Sequence, residues 1–366
     1  MKEIELKLQG KQKRLTNETF KFDERVKEGW FSAVYFLKTK KIAEKYKPDE
    51  RVLMQFFQKD HAVLCGVDEA VALVKTFSSN PGELVIHALE DGNKIEPYET
   101  VMTVEGKYQD FGFLEGLIDG ILARRTSVAT NVFNVVNAAK ISGRKKPVIF
   151  MGDRDDHFTQ QAGDGYSAFI GGSKAQATHA MSEWWGKKGM GTMPHALLQL
   201  FEGDIIQATR AYKETFPEDE LVALVDYNND VITDSLKVAR EFGSELQTVR
   251  LDTSGSMVDQ YFCRHPEVLG SFNPTGANPE LIFALRRVLD EEGFGHVKIM
   301  VSGGFNAARI EEYEAKDVPV DIYGIGSSLL KIHIGFTGDN VLLNGKHEAK
   351  AGRKYRPNNR MEFVEY

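Results

Sequence analysis

The sequence predicts an α/β protein: a parallel sheet or barrel of alternating strands and helices behind an N-terminal α+β domain, with a C-terminal segment packing back on that domain. Three observations carry this reading. Residues 81–113, "PGELVIHALEDGNKIEPYETVMTVEGKYQDFGF", alternate apolar and polar side chains between turn signals at Asp91-Gly92 and Glu105-Gly106, the period of an antiparallel sheet. Beyond residue 125, short apolar runs alternate with helical stretches, the pattern of parallel strands joined by helices. From 335 onward the chain returns to turns and short strands.

Taken in order, the elements divide into residues 1–125 for the first domain, 126–334 for the barrel and about 335–366 for the returning segment. "GLIDGILARRTSVATNVFNVVNAAKISG", 116–143, has helical spacing throughout. "VIFMG" (148–152) is a strand ending in "DRDD", and "LVALVD" (221–226) is a strand leading into the helix-like "DVITDSLKVAREFG". "ELQTVRLD" (245–252) is the next strand, and Asn278 with Pro279 marks the start of a helix. "VKIMVSGG", a helix from Asn306, and "VDIYGIGSSLLKI" complete the set. Charged and polar residues recur at the C-terminal ends of these strands, which share one rim in a barrel and carry its chemistry.

Composition narrows the function classes. The 366 residues are 42% hydrophobic and 27% charged, enough to bury a large core. A net charge of −7 argues against a general nucleic-acid surface. Two cysteines, Cys65 and Cys263, are too few for a disulfide framework or an ordinary zinc site. With no apolar run near the ~18 residues of a membrane helix, a cytoplasmic location without membrane contact is expected.

The glycine pair of "IMVSGGFNAARI" (299–310) ends a strand and precedes a helix capped by Asn306, leaving backbone N–H groups free beside a helix N-terminus. Such a turn seats a phosphate, although glycines also serve tight turns alone. "GIGSS" (324–328) nearly repeats the pattern one strand later, so Gly303, Gly304, Gly324, Gly326 and Ser327 are candidate phosphate contacts. In "TVRLDTSGS", Arg250 and Asp252 stand two apart and point to the same face of a strand end. Asp226 ends the preceding strand and Asp230 follows it, the latter reading better as a cap or surface pair. Carboxylates such as Asp226 and Asp252 could hold Mg²⁺ through water or stabilise positive charge on a sugar. Arg154 could clamp a phosphate with its rigid fork, or simply be solvated. His195, beside Pro194 at the head of an apolar stripe of Leu197, Leu198, Phe201, Ile205 and Ile206, reads equally as a nucleophile at a helix start or as a packed histidine. The aromatic cluster of "GWFSAVYFLKT" (29–39) reads as core, with a stacking platform as the alternative.

In this order, "GWFSAVYFLKT", "EPYETVMTVEGKY", "LARRTSVATN", "GMGTMPHALLQLF", "LVDYNND", "TVRLDTSG", "FNPTGANPE", "VSGGFN" and "DIYGIGSSL" resemble the nicotinate phosphoribosyltransferases, within the type II phosphoribosyltransferases. The resemblance covers nearly the whole chain. It implies an irregular, TIM-like α/β barrel with an N-terminal α+β, sandwich-like domain. It also implies transfer of a phosphoribosyl group from 5-phosphoribosyl-1-pyrophosphate to nicotinic acid in NAD biosynthesis, with Mg²⁺, coupling to ATP hydrolysis through a phosphohistidine, and a homodimer with shared active sites. By position, His195 matches the phosphorylated histidine. Arg250 and Asp252 match the pair at ribose and pyrophosphate, Asp226 matches the earlier strand-end aspartate, and the glycines match the 5-phosphate grip. Tyr35 matches the aromatic reaching over the pyridine from the neighbouring subunit, Arg154 the arginine beside the base, and Ser173 the loop that sets base choice.

Two positions depart from the pattern. Met151 stands where some relatives place the second ring of an aromatic sandwich, though a thioether also packs on rings. Lys174 follows Ser173 where nicotinamide-using relatives place an acid nearby, which favours a carboxylate substrate. The rival readings are transfer to nicotinamide or quinolinate, and a non-catalytic phosphosugar-binding barrel. The chemistry itself is consistent: displacing pyrophosphate from C1 of ribose needs cations for the leaving polyanion, carboxylates for an oxocarbenium-like centre and a remote phosphate grip for alignment.

Overall fold

Residues 2–365 are described by a computed structural model. The first five strands are β1 Arg51–Phe57, β2 Ala62–Val63, β3 Val85–Ala88, β4 Lys94–Ile95 and β5 Thr100–Lys107. β1, β5 and β3 pair antiparallel, and β2 pairs with β4 in a separate two-stranded ribbon. The alternation read in residues 81–113 is seen directly in β3, whose residues are alternately half-buried and buried. Behind this sheet lies the helix Val67–Phe77, buried along most of its length.

The barrel strands are β6 Val148–Phe150, β7 Ala175–Gln176, β8 Leu221–Leu224, β9 Leu246–Leu251, β10 Lys298–Val301 and β11 Ile322–Ile325. All their ladders are parallel, in the order β7-β6-β11-β10-β9-β8. The pairing of the last strand, β11, with the first, β6, brings the two ends of this segment side by side, as a ring of strands requires. One ladder is absent from that ring, between the sheet's outer strands β7 and β8. Beside this seam runs the 187–194 loop, and its Met190 N–H donates to the Gln176 carbonyl at 2.8 Å. β8 is buried at all four positions, and the inner strands are largely so, which explains why they read as unbroken apolar runs.

The chain then returns to the first sheet through β12 Thr337–Leu343, β13 Lys346–His347 and β14 Glu362–Phe363. β12 pairs with β1 and β14 with β3, making a six-stranded antiparallel sheet. The 24-residue helix Glu115–Ala138 serves both halves: Ile118 and Leu122 enter the core of the first sheet, and Val128, Val132 and Val135 that of the barrel. It continues without a break through residues 125 and 126.

One expected helix is two. The apolar stripe after Pro194 is interrupted: His195–Leu200 is a six-residue helix, and Ile205–Thr215 starts afresh with Asp204 accepting from the Gln207 N–H at 3.0 Å. Gly203 in the left-handed region and the capping Asp204 compete with helix continuation there. Among the described residues no helix is long and apolar enough to cross a membrane.

Candidate active site

The C-terminal ends of β6, β9, β10 and β11 open on a cleft of about 480 Å³, into which Met151, Arg154, His195, Arg250, Asp252 and Gly304 face. Arg250 and Asp252 both reach it, because residues two apart on β9 and its extension share a face. Asp252 is held by the Ser302 hydroxyl, which donates to its Oδ1 at 2.7 Å from the end of the next strand. Arg250 donates through Nη1 to Thr192 Oγ1 at 3.2 Å, while its buried Nε has no acceptor among the described residues. Burial lowers the Arg250 pKa, the mark of a cation that lacks sufficient counter-charge. An anion in the cleft would supply both the acceptor and the counter-charge.

Gly303 and Gly304 follow β10 with φ of 84° and 72°, a conformation that side-chain-bearing residues rarely adopt. A Cβ on Gly303 would stand 3.3 Å from Asp252 Oδ1, so the turn also lies against the carboxylate. Asn306 caps the following helix, Ala307–Ala315, by accepting from the Arg309 N–H at 3.0 Å. The arrangement is that of a backbone anion seat at a helix start.

On the other side of Arg250, His195 Nε2 lies 3.2 Å from Asp226 Oδ1. Asp226 is largely buried, and that burial, partly offset by His195, raises its pKa. His195 opens a helix of only six residues, so the helix dipole is a weaker influence on its ring than the contact with Asp226.

Several expected site residues lie elsewhere or act differently. Ser173 is buried before the start of β7, at the end of the barrel opposite the cleft, with its hydroxyl 3.2 Å from the Val148 carbonyl and 3.0 Å from that of Ala175. Lys174 is exposed at that same end, so neither residue is brought to the cleft. Gly324 lines the cleft from inside β11, and its missing side chain leaves room for Met151, whose Sδ would be 2.7 Å from a Cβ there. Gly324 therefore shapes the floor, whereas Gly326 and Ser327 form the turn above it. Asp155 Oδ2 would be 2.8 Å from a Cβ on Gly326, which places a carboxylate beside this second turn and makes it a poorer anion seat than Gly303-Gly304. Tyr35 is 64% exposed on the helix Val34–Tyr46 and does not line the cleft of its own chain. Asp230 is bound by Arg264 at 2.8 Å, the surface pair its position suggested.

The sequence reading missed Asp155, Thr192 and Ser302. Ser302 sits immediately before the glycine pair, and its place at a strand end was the available signal. Nothing local marks Thr192, whose contact with Arg250 joins residues 58 apart.

Among the described residues no group of three or more His, Cys, Asp or Glu side chains is placed to hold a metal by itself. Burial, with a smaller contribution from the nearby Asp252 carboxylate, raises the pKa of Asp226. Two carboxylates beside an anion site suit Mg²⁺, which takes one or two protein oxygens together with phosphates and water.

Residues 33–126 match the profile of the quinolinate phosphoribosyl transferase N-terminal domain. The solved nicotinate-nucleotide pyrophosphorylase from Pyrococcus furiosus is 31% identical, covers 94% of this chain and 84% of its own, and superposes with a TM-score of 0.78. The chain belongs to the type II phosphoribosyltransferases. Within this family, the nicotinate phosphoribosyltransferase of Bacillus subtilis is 23% identical over 306 residues, 75% of this chain and 56% of the relative. The chain thus spans about half the length of the curated relatives it matches, at 48–56% of each. Human nicotinic acid phosphoribosyltransferase shares the fold at 16% identity and a TM-score of 0.67, over 88% of this chain and 77% of its own.

Proposed function

We propose that the protein is a nicotinate phosphoribosyltransferase, joining nicotinic acid to 5-phosphoribosyl-1-pyrophosphate to give nicotinate mononucleotide and pyrophosphate in NAD biosynthesis. The observation that carries this is the convergence in one cleft of Arg250, with its unsatisfied buried Nε, Asp252, and the Gly303-Gly304 turn. The turn takes the 5-phosphate and aligns the sugar. Arg250 neutralises the departing pyrophosphate, and Asp252, fixed by Ser302, faces the positive charge that develops at C1. Mg²⁺, held by the pyrophosphate with Asp226 and Asp252, would add further neutralisation of the leaving group. The pyridine nitrogen attacks with its own lone pair, so no general base is required.

With Ser173 and Lys174 turned away, base choice rests on other groups. Arg154 enters the cleft with no ion pair or hydrogen bond to the described residues, a cation available to a pyridine carboxylate. Met151 and Met190 supply apolar, polarisable surface for the ring. A carboxylate base is therefore preferred over nicotinamide. Quinolinate is the second reading, favoured by the matched domain profile.

ATP coupling would use His195. Asp226 engages its Nε2, which leaves the Nδ1 lone pair as the nucleophile toward a phosphoryl group. Tyr35, exposed beside Trp30 and Phe31, would complete the base pocket of a second copy in a homodimer. A pyrophosphate-release assay on nicotinate, nicotinamide and quinolinate, with and without ATP, tests the whole reading. Nicotinate is expected to be fastest, with ATP stimulation that His195→Ala abolishes. No release with any base sinks the function, and stimulation surviving in the variant sinks the phosphohistidine.

A further inference from the structure

Arg154 and Asp155 both face the cleft, yet neither side chain makes a hydrogen bond or ion pair within the described chain. Their positions are consequently set by the backbone of the loop that follows β6. Three contacts fix that loop. The Met151 N–H donates to the Ile325 carbonyl at 2.7 Å, tying the start of the loop to the end of β11. Gln161 Nε2 donates to the Asp153 carbonyl at 3.0 Å, and Gln161 is itself held by the Thr178 hydroxyl at 2.9 Å. Beyond Asp155, the only grip from outside the loop among the described residues is on Asp156, whose carboxylate accepts from Arg124 Nη2.

Arg124 lies on the helix Glu115–Ala138, which is anchored in both cores, and it does not line the cleft. Its guanidinium is itself immobilised: Nε and Nη2 bind the two oxygens of Asp164 in a fork at 2.8 Å each. Asp164 is buried and also meets Arg125 Nη1 at 3.4 Å, and Arg125 is bound in turn to Glu69 at 2.7 Å. The chain of charges Glu69, Arg125, Asp164, Arg124, Asp156 thus runs from the helix Val67–Phe77 to the rim of the barrel. Its last member hydrogen-bonds the His157 N–H at 2.6 Å as well, so the carboxylate of Asp156 fixes the loop's backbone direction just after the cleft residues.

We propose that Arg124 is a positioning residue for the pyridine subsite, holding through Asp156 the loop that presents Arg154 and Asp155 to the cleft. This rests on the phosphoribosyltransferase reading for its kinetic consequence, though not for the clamp itself. Lysine at this position keeps the charge but loses the fork, so it holds Asp164 or Asp156 and not both as well.

The test uses the full chain with Arg124→Met, Arg124→Lys, Asp156→Asn and the double variant Arg124→Met/Asp156→Asn. Hydrogen exchange over residues 152–158 should rise in the Met and Asn variants, less in the Lys variant, while exchange in the barrel strands stays at the wild-type rate. The KM for the pyridine substrate should rise about tenfold in Arg124→Met, with the KM for the phosphoribosyl donor changing less than twofold, and Lys should recover part of the loss. Because both partners act through one contact, the double variant should be no worse than the weaker single. Unchanged exchange in the loop overturns the clamp. Parallel rises in both KM values, accompanied by faster exchange throughout the barrel, also overturn it in favour of a merely structural role. Should the wild-type protein release no pyrophosphate, the functional reading fails, and the exchange rates alone then decide for or against the clamp.

Discussion

Arg154 reaches the cleft unbound, whereas Asp252 arrives already fastened to Ser302. The difference separates side chains that wait for a ligand from those set in place before it comes. Gly304 shows the same preparation in the backbone. Its φ of 72° is one that a β-branched residue essentially never adopts, although 3.8 Å of space to Arg309 would admit a Cβ. Gly304→Val should therefore distort the turn and raise the KM for the phosphoribosyl donor by about tenfold or more, leaving the KM for the base within twofold. Equal changes in both would show that the turn does not hold the donor's phosphate. Arg250 and Asp252 were legible in the sequence because a strand's period of two is rigid. Ser173 was not, since whether a residue lies before or after a two-residue strand such as β7 decides which end of the barrel it occupies, and no periodicity exists over two residues.

At the scale of elements, the start of the helix Glu115–Ala138 meets β12 through three carboxylates, Glu115, Asp119 and Asp339. Burial, reinforced by the neighbouring acids, pushes Glu115 up to about 8, and burial raises Asp119 to about 6. A folded-state pKa above the ordinary 4.5 of Glu115 means that the native state binds this proton more tightly than the unfolded chain. The resulting stabilisation is complete below pH 4.5 and disappears as pH rises through about 8. Glu115→Gln, which stays neutral, should match the wild type in Tm near pH 5 and exceed it by roughly 2–4 °C at pH 8.5, read by a thermal melt across that range. A gap that is constant with pH, or a wild type that is the more stable at pH 8.5, would refute it. Helix starts were easier to read: the Asn278 cap accepts from the Leu281 N–H at 2.9 Å as its sequence context implied. The break between His195–Leu200 and Ile205–Thr215 was harder, because the apolar stripe continues across it and only Gly203 and Asp204 betray the turn.

For the molecule as a whole, a strong argument for a barrel is a pairing that no single segment encodes, that of β11 with β6 across 175 positions of sequence, as in Tyr323 with Val148. The sequence could suggest parallel strands in series, while the missing β7–β8 ladder depends on how short β7 is and on the long excursion after it. The start of the helix Val34–Tyr46 and the turn before it present a different surface. Trp30 at 68% exposure, with Phe31, Val34 and Tyr35 beside it, leaves a contiguous group of large apolar side chains open to water. The proposed homodimer predicts that Trp30→Glu shifts the sedimenting species from dimer to monomer and lowers pyrophosphate release at least tenfold, because the base pocket loses its neighbour's ring. A wild-type protein that sediments as a monomer at micromolar concentration would end that proposal.

The seam between β7 and β8 gives the barrel a clasp where other rings have a hoop. Thr192, which steadies Arg250, sits on the strap that lies along it, and His195, which meets Asp226, opens the helix at the strap's end. Among the described residues its backbone bond to β7 is the one from Met190 to Gln176, and the strap is anchored besides by Met193, buried in the barrel core, and by the Gly189 N–H, which donates to His179 Nδ1 at 2.9 Å. On this side the barrel is thereby fastened by a loop and its buried methionine where strand pairing would otherwise run.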